Sequence, residues 1–268
     1  MDRSIAVPAW RPDRGPYEDR VAVEEPLEIR VNGVPIAVTL RTPGDDEELA
    51  AGFVLTEGIA RHPADLVGVA PVHDVPADAR GNVVNVTVHS AESPDGAARL
   101  TGRPAFVTAA CGVCGRGTLE AVRRRAEPLP DGPGVIPSVL ASLPERLRKS
   151  QPTFDETGGL HAAGLFDLQG DLLAAREDVG RHNAVDKLVG WAALGRRLPL
   201  KDALLCVSGR AGFEIVLKAW IAGIPALASV SAPSHLAVAL AEEANMTLLG
   251  FVRDGSFAVY AGRERMAE

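Results

Sequence analysis

A chain of 268 residues is long enough for one large domain or two small ones around a sizeable core. Its 46% hydrophobic and 24% charged residues are the balance of a soluble globular protein. A formal net charge of -7, from 28 basic and 35 acidic residues, removes any bulk electrostatic reason to bind nucleic acid and leaves only a local basic pocket for an anionic ligand.

The opening MDRSIAVPAWRPDRGPYEDR is proline-rich, mixed in charge and without a signal-peptide core, so residues 1–20 are expected to be a flexible arm. No uninterrupted apolar run is long enough to span a membrane. Three cysteines do not make a disulfide framework, and the expectation is a cytoplasmic protein with reduced thiols. From Pro26 to Arg41, apolar and polar residues alternate around Asn32-Gly33, a hairpin signal. In TPGDDEELAAGFVLTEGI, Asp45 or Asp46 can cap a helix with an acidic first turn that Gly58 ends. NVVNVTVHS reads as a strand. Residues 21–103 are thus expected to form a small α+β subdomain.

Residues 104–268 are expected to form the second unit. After a Cys-containing stretch, a Pro/Gly loop leads to a helix starting near Pro137 or Ser138. TFDETGGLHAAGLFDLQGDLLAAREDVG reads as helix, strand, Gln169-Gly170 turn and strand. In RHNAVDKLVGWAALGRR, Ala184, Leu188 and Trp191 recur at helical spacing. The remainder alternates strand, helix, strand, helix, strand, and a turn at residues 253–256 leads to a last strand. That order predicts an α/β fold with a mixed, mostly parallel sheet covered by helices.

The chemistry-bearing feature is AFVTAACGVCGRGTLEAVRRR, with Cys111 and Cys114 two residues apart between an apolar β-type run and a helix-type stretch. A structural zinc site needs four ligands, and no second cysteine pair exists at zinc spacing. A dithiol oxidoreductase suits the local layout, in which a helix N-terminus lowers a thiol pKa, but no thioredoxin-like ββα unit follows. A zinc deaminase would need an acid/base glutamate two residues after His161, where Ala163 stands, and a CxxC after the histidine, not before it. A sulfur-carrying thiolate is the fourth chemistry. It needs exposure, a mobile loop and a positive field, which Gly112, Gly115 and Gly117, Arg116 and the helix N-terminus would supply. Spacing alone does not choose between the second and fourth readings.

Five ordered motifs do choose: VNGVPIAVTLRTPGDDEELAAGFVLTEGI, TAACGVCG, TGGLHAAGLFD, EDVGRHNAVDKLVG and the run from VSGRAGFE to FVRDGSFAVYAG. Together they resemble the formate dehydrogenase accessory sulfurtransferase family (FdhD), over about residues 25 to 262. The resemblance implies a cytidine-deaminase-like C-terminal domain beside the smaller N-terminal one. It implies a sulfurtransferase that takes sulfur from a cysteine desulfurase, holds it as a persulfide on Cys111 with Cys114 as partner, and delivers it to the molybdenum cofactor of formate dehydrogenase. That acceptor is the bis(molybdopterin guanine dinucleotide) form, which guanine nucleotides would mimic. The family's cofactor-binding segment maps onto Phe251, Val252, Arg253, Asp254, Gly255 and Ser256. Two pterin-nucleotide arms leave room for a homodimer. No resident metal is implied. Two rivals stay open: a cofactor chaperone that carries no sulfur, and a CxxC thiol-disulfide oxidoreductase.

Other residues divide between local and functional readings. Ser208-Gly209-Arg210-Ala211-Gly212 joins a strand to a helix, where backbone N–H groups could cradle a phosphate or simply make a tight turn. Arg181 and His182 open a helix against its dipole, which suggests either another role or pairing with Asp178 or Glu177. His161 reads as a core or hydrogen-bonded histidine, Cys206 as a buried thiol, and Trp191 and Trp220 as core anchors.

Overall fold

The computed structural model describes residues 2–89, 105–107, 127–132 and 134–267. Among these residues it is a mixed α/β fold with three sheets. Cys111 and Cys114 lie outside the described residues.

The expected Asn-Gly hairpin joins β3 (Glu25–Val31) to β4 (Val34–Arg41), with Asn32 and Gly33 both left-handed at φ 49° and 83°. A two-residue turn between twisted strands needs that conformation twice, which suits Asn-Gly. The Asn32 side chain also accepts from the Val88 amide at 3.0 Å, tying the turn to β6 (Val83–Val88). With β5 (Leu66–Pro71) and β7 (Ala105–Val107) the sheet has five strands in the order β5-β6-β3-β4-β7. β5 escapes the sequence reading because it is a short, largely exposed edge strand with Gly68 inside it. By hydrogen bonding, residues 105–107 join this sheet, although the sequence groups them with the second unit.

Helix α1 (Asp46–Thr56) follows β4. Asp45 occupies the N-cap position but is left-handed, and its side chain makes no capping bond. The acidic first turn serves arginines instead. Fully buried Arg41 lies against both Asp46 carboxylate oxygens at 2.9 Å, and Arg176 pairs with Glu48 at 2.6 Å. Partners of that kind are what a buried guanidinium requires.

The second sheet has six strands in the order β13-β12-β11-β10-β8-β9. They are β8 (His161–Asp167), β9 (Leu172–Asp178), β10 (Ala203–Val207), β11 (Ala226–Ser229), β12 (Thr247–Arg253) and β13 (Ser256–Ala261). β10, β11 and β12 are parallel, while β8, β9 and β13 pair antiparallel with their neighbours. Alternation along β10 builds two cores. Ala203, Leu205 and Val207 face the helices α4 (Arg181–Leu194), α5 (Phe213–Ile221) and α6 (His235–Glu243). Leu204 and Cys206 face α2 (Pro137–Arg148), whose Leu140, Leu143 and Leu147 are buried on that side. Each such leucine contributes about 1.5–3 kcal/mol by leaving water. Burial pushes the Cys206 thiol far up, so this cysteine packs as an apolar side chain, as expected.

The two sheets are joined through α1 and α4. Gly52 and Gly190 face each other's helix backbone so closely that a Cβ on either would lie 1.8 Å from a carbonyl oxygen of the other helix. Buried polar bonds complete the junction. Asn183 donates to the Leu40 carbonyl (2.8 Å), and Lys218 of α5 contacts Thr56 (2.8 Å), Glu57 (3.1 Å) and Asp186 (2.9 Å).

Residues 1–20 differ from the expected flexible arm. Ser4–Arg11 (β1) and Gly15–Ala22 (β2) form a separate two-stranded hairpin. Its alternation is hidden in the sequence by Pro8 and Pro16, and its support is tertiary. Arg3 donates to the Glu177 carbonyl at 2.7 Å, and Ser4 to Glu156 of α3 (Pro152–Thr157) at 2.6 Å.

Candidate functional site

Because β10, β11 and β12 are parallel, their carboxyl ends share one end of the sheet with the start of β8 and the end of β9. Open α/β sheets bind ligands beyond the carboxyl ends of their strands. A groove of about 850 Å³ lies there, lined by His161 of β8, Ser208 after β10, Val230 after β11 and Val252, Arg253 and Asp254 of the β12–β13 hairpin. Arg148, Lys149 and Phe154, from the α2–α3 region, line it as well.

The hairpin segment is built by a bulge and a turn. Asp254 and Gly255 are left-handed (φ 51° and 72°) between paired Arg253 and Ser256, again a two-residue turn. The register shifts between Gly250 and Arg253, where Phe251 takes φ 53° and donates its amide to Ser231 O at 3.2 Å. Such a conformation costs an aromatic residue about 1–3 kcal/mol and persists only where its surroundings impose it. The bulge leaves Phe251 44% exposed and Val252 fully buried. Of the six residues expected to bind cofactor, Val252, Arg253 and Asp254 line the groove. Phe251, Gly255 and Ser256 do not, although they belong to the same hairpin.

His161 begins β8 opposite Asp178 in register. Gly209 backs directly onto it, since a Cβ there would lie 3.3 Å from His161 Nδ1. The Ser208 hydroxyl accepts from the Ala162 amide at 2.9 Å, and the Ser208 amide donates to the Ala162 carbonyl. Residues 208–212 are thus a turn fastened to β8. The Gly212 amide is taken by the Arg210 carbonyl, so the loop is not a free row of donors.

Arg181 and His182 do not pair with Asp178 or Glu177, the partners weighed from sequence. His182 Nε2 meets Glu214 at 2.6 Å, and that hydrogen bond holds the Glu214 carboxyl below its ordinary range. Asp178 pairs with Lys187 at 2.8 Å, both side chains fully buried, and accepts from Asn183 and from the Thr42 and Gly180 amides. Glu177 accepts from the Thr153 and Phe154 amides at the start of α3. Sequence reasoning missed Lys187 and Glu214. An acid and a lysine nine residues apart across a helix start carry no periodic signal.

Burial, then the charges of Arg181 and His182, lower the His161 pKa from its ordinary 6.5. An imidazole proton NMR titration should show His161 titrating below that value. Acidification through about 6.5 then protonates this histidine in the unfolded chain before the folded one, so its contribution to stability falls as pH falls. Ala163 is buried in β8, where a deaminase would need its acid/base. Among the described residues, no group of three or more His, Cys, Asp or Glu could hold a metal ion.

A mixed α/β protein with a partly cationic groove at the carboxyl ends of its strands is the class that fold and site define. Residues 22–267 match the model of the FdhD/NarQ family, and the chain belongs to that family. It is 52% identical over 255 residues to the sulfur carrier protein FdhD of Streptomyces coelicolor, covering 93% of this chain and 89% of that one. It is 48% identical over 255 residues to the protein of that name from Mycobacterium tuberculosis, covering 92% of each. A crystal structure of a protein from Desulfotalea psychrophila, named as a candidate formate dehydrogenase accessory protein, superposes with a TM-score of 0.76. It is 27% identical and covers 99% of this chain and 100% of its own.

Proposed function

We propose that this protein is a sulfurtransferase that carries sulfur as a Cys111 persulfide from a cysteine desulfurase to Mo-bis(molybdopterin guanine dinucleotide), as an accessory protein of formate dehydrogenase. The observation that carries the reading is the near-50% identity to sulfur carrier proteins along almost the whole chain. The groove supports the acceptor half, since it gathers Arg253 and Asp254 with His161 and Ser208 in a space of nucleotide size. The cofactor is substrate here, and Phe251, Val252, Arg253, Asp254, Gly255 and Ser256 are the segment proposed to meet it.

The first step is thiol exchange. The Cys111 thiolate attacks the terminal sulfur of the donor persulfide, the donor S–S bond breaks, and the donor cysteine leaves as a thiolate. Electrons balance without an external oxidant. Cys114 then either accepts the sulfur in a relay or resolves a mixed disulfide. A cytoplasmic location, where thiols stay reduced, is part of this proposal; no helix among the described residues is long and apolar enough to cross a membrane.

Intact-protein mass spectrometry after incubation with a cysteine desulfurase and cysteine tests the reading. Wild type should gain one reducible sulfur, and Cys111→Ala none. No gain on wild type, with the desulfurase active on another acceptor, would transfer the argument to a cofactor chaperone. A Cys111–Cys114 disulfide cycle without guanine-nucleotide binding would favour an oxidoreductase.

A further inference from the structure

We propose that the β1–β2 hairpin is a strap that holds α3 and the turn after it against the groove, so that this side of the groove opens only when the base of the hairpin lets go. The strap stands on the geometry of the groove; a nucleotide enters only as a second readout and rests on the function proposed above.

One continuous segment, residues 151–161, supplies Gln151, Phe154, Gly158, Gly159, Leu160 and His161 to the lining of the groove. It contains α3, a helix of six residues, and then Gly158 in the left-handed region at φ 65°. A helix that short has too few internal hydrogen bonds to stand alone, so its position comes from contacts outside it. The buried Glu177 carboxylate holds its first amides, Thr153 at 3.0 Å and Phe154 at 2.7 Å. Arg148 pairs with Asp155 in its middle.

The base of the hairpin supplies further anchors. Ser4, buried at the start of β1, donates to Glu156 at 2.6 Å. Arg20 of β2 bridges the two, donating to Ser4 Oγ at 2.6 Å and lying 3.3 Å from the same Glu156 oxygen. Arg3 donates at 2.7 Å to the carbonyl of Glu177, the residue whose side chain holds the start of α3. Ala22, at the end of β2, lies against Gly159, where an added Cβ would be 3.8 Å from the Ala22 Cβ. Away from this base the hairpin is loosely held. Among the described residues its two strands pair only with each other, and Ile5, Trp10 and Val21 are exposed. A lone two-stranded hairpin is marginal in water. The hairpin and α3 therefore order one another, and elements with few buried contacts are the first to open.

Hydrogen–deuterium exchange of the full chain, comparing wild type with a double variant carrying Ser4→Ala and Arg20→Gln, tests the strap. Both substitutions lie far from α3 in sequence. Amides of residues 153–160 should exchange about tenfold faster in the double variant, the scale of one lost hydrogen bond to a charged group, and those of α6 should not change. Arg14→Gln, at the exposed tip of the same hairpin, should exchange as wild type. Thermal melts verify that each variant is folded. Unchanged exchange over residues 153–160 in the double variant would overturn the strap, as would equal acceleration in α6, which marks general destabilisation. Dissociation of GDP is the second readout, and GDP should leave the double variant faster by a similar factor. A GDP dissociation rate equal to wild type beside a loosened α3 would overturn the link between strap and groove. If wild type binds no GDP, the nucleotide assignment fails and the exchange result alone decides the strap.

Discussion

Gly190→Ala is expected to destabilise the protein by about 3 kcal/mol or more, the upper end of the usual cost of overpacking a core. Two effects of opposite sign compete. Alanine in a helix interior is favoured over glycine by roughly 1 kcal/mol. Against this, the new methyl would lie 1.8 Å from the Glu48 carbonyl oxygen and 2.5 Å from its carbon. Those are backbone atoms of α1, so relief requires moving a helix buried against the five-stranded sheet. The steric cost exceeds the propensity gain, and Gly52→Ala should behave likewise against Asp186. Gly68→Ala in β5 is the control: nothing lies within 4 Å of the added carbon, so its effect should stay within about 0.5 kcal/mol. Urea denaturation of the three variants checks this. A Gly190→Ala midpoint equal to wild type would show that the helices part without cost.

Lys187→Met should cost about 3–5 kcal/mol, the range for removing one partner of a buried ion pair. Lys187 and Asp178 are both fully buried at 2.8 Å, and Lys187 also donates to the Thr42 carbonyl at 2.9 Å. Methionine fills a similar volume, so the loss comes from charge and hydrogen bonding. Asp178 keeps its bonds from Asn183 and the two amides but loses its counter-ion. Adding Asp178→Asn to Lys187→Met should recover part of the loss, since it removes the stranded charge. A double variant less stable than Lys187→Met would contradict that account.

Much of the architecture was legible because it is written in local chemistry. Asn32-Gly33 permits a tight two-residue turn, the unbroken apolar run ALLCV marks a strand buried on both faces, and Ser234 caps α6 by accepting from the Ala237 amide at 3.2 Å. The β1–β2 hairpin was not legible, because prolines interrupt its alternation and its support comes from Glu156 and Glu177, more than 130 residues away. Asp45 was misread as a side-chain cap for the related reason that Arg176, far along the chain, competes for its carboxylate.

Family membership, the hairpin turn at Arg253 and the buried character of Cys206 follow from residue order alone, because each depends on neighbours in sequence. The meeting of His161, Asp178 and Gly209 does not. It requires β8 and β10 to pair antiparallel and β9 to return beside β8, so that three separate segments reach the same end of one sheet. Nor could the sequence show that the acids nearest Arg181 are already engaged by Lys187 and by the α3 amides. Coulomb energies depend on distance and burial, and those exist only once the chain has folded.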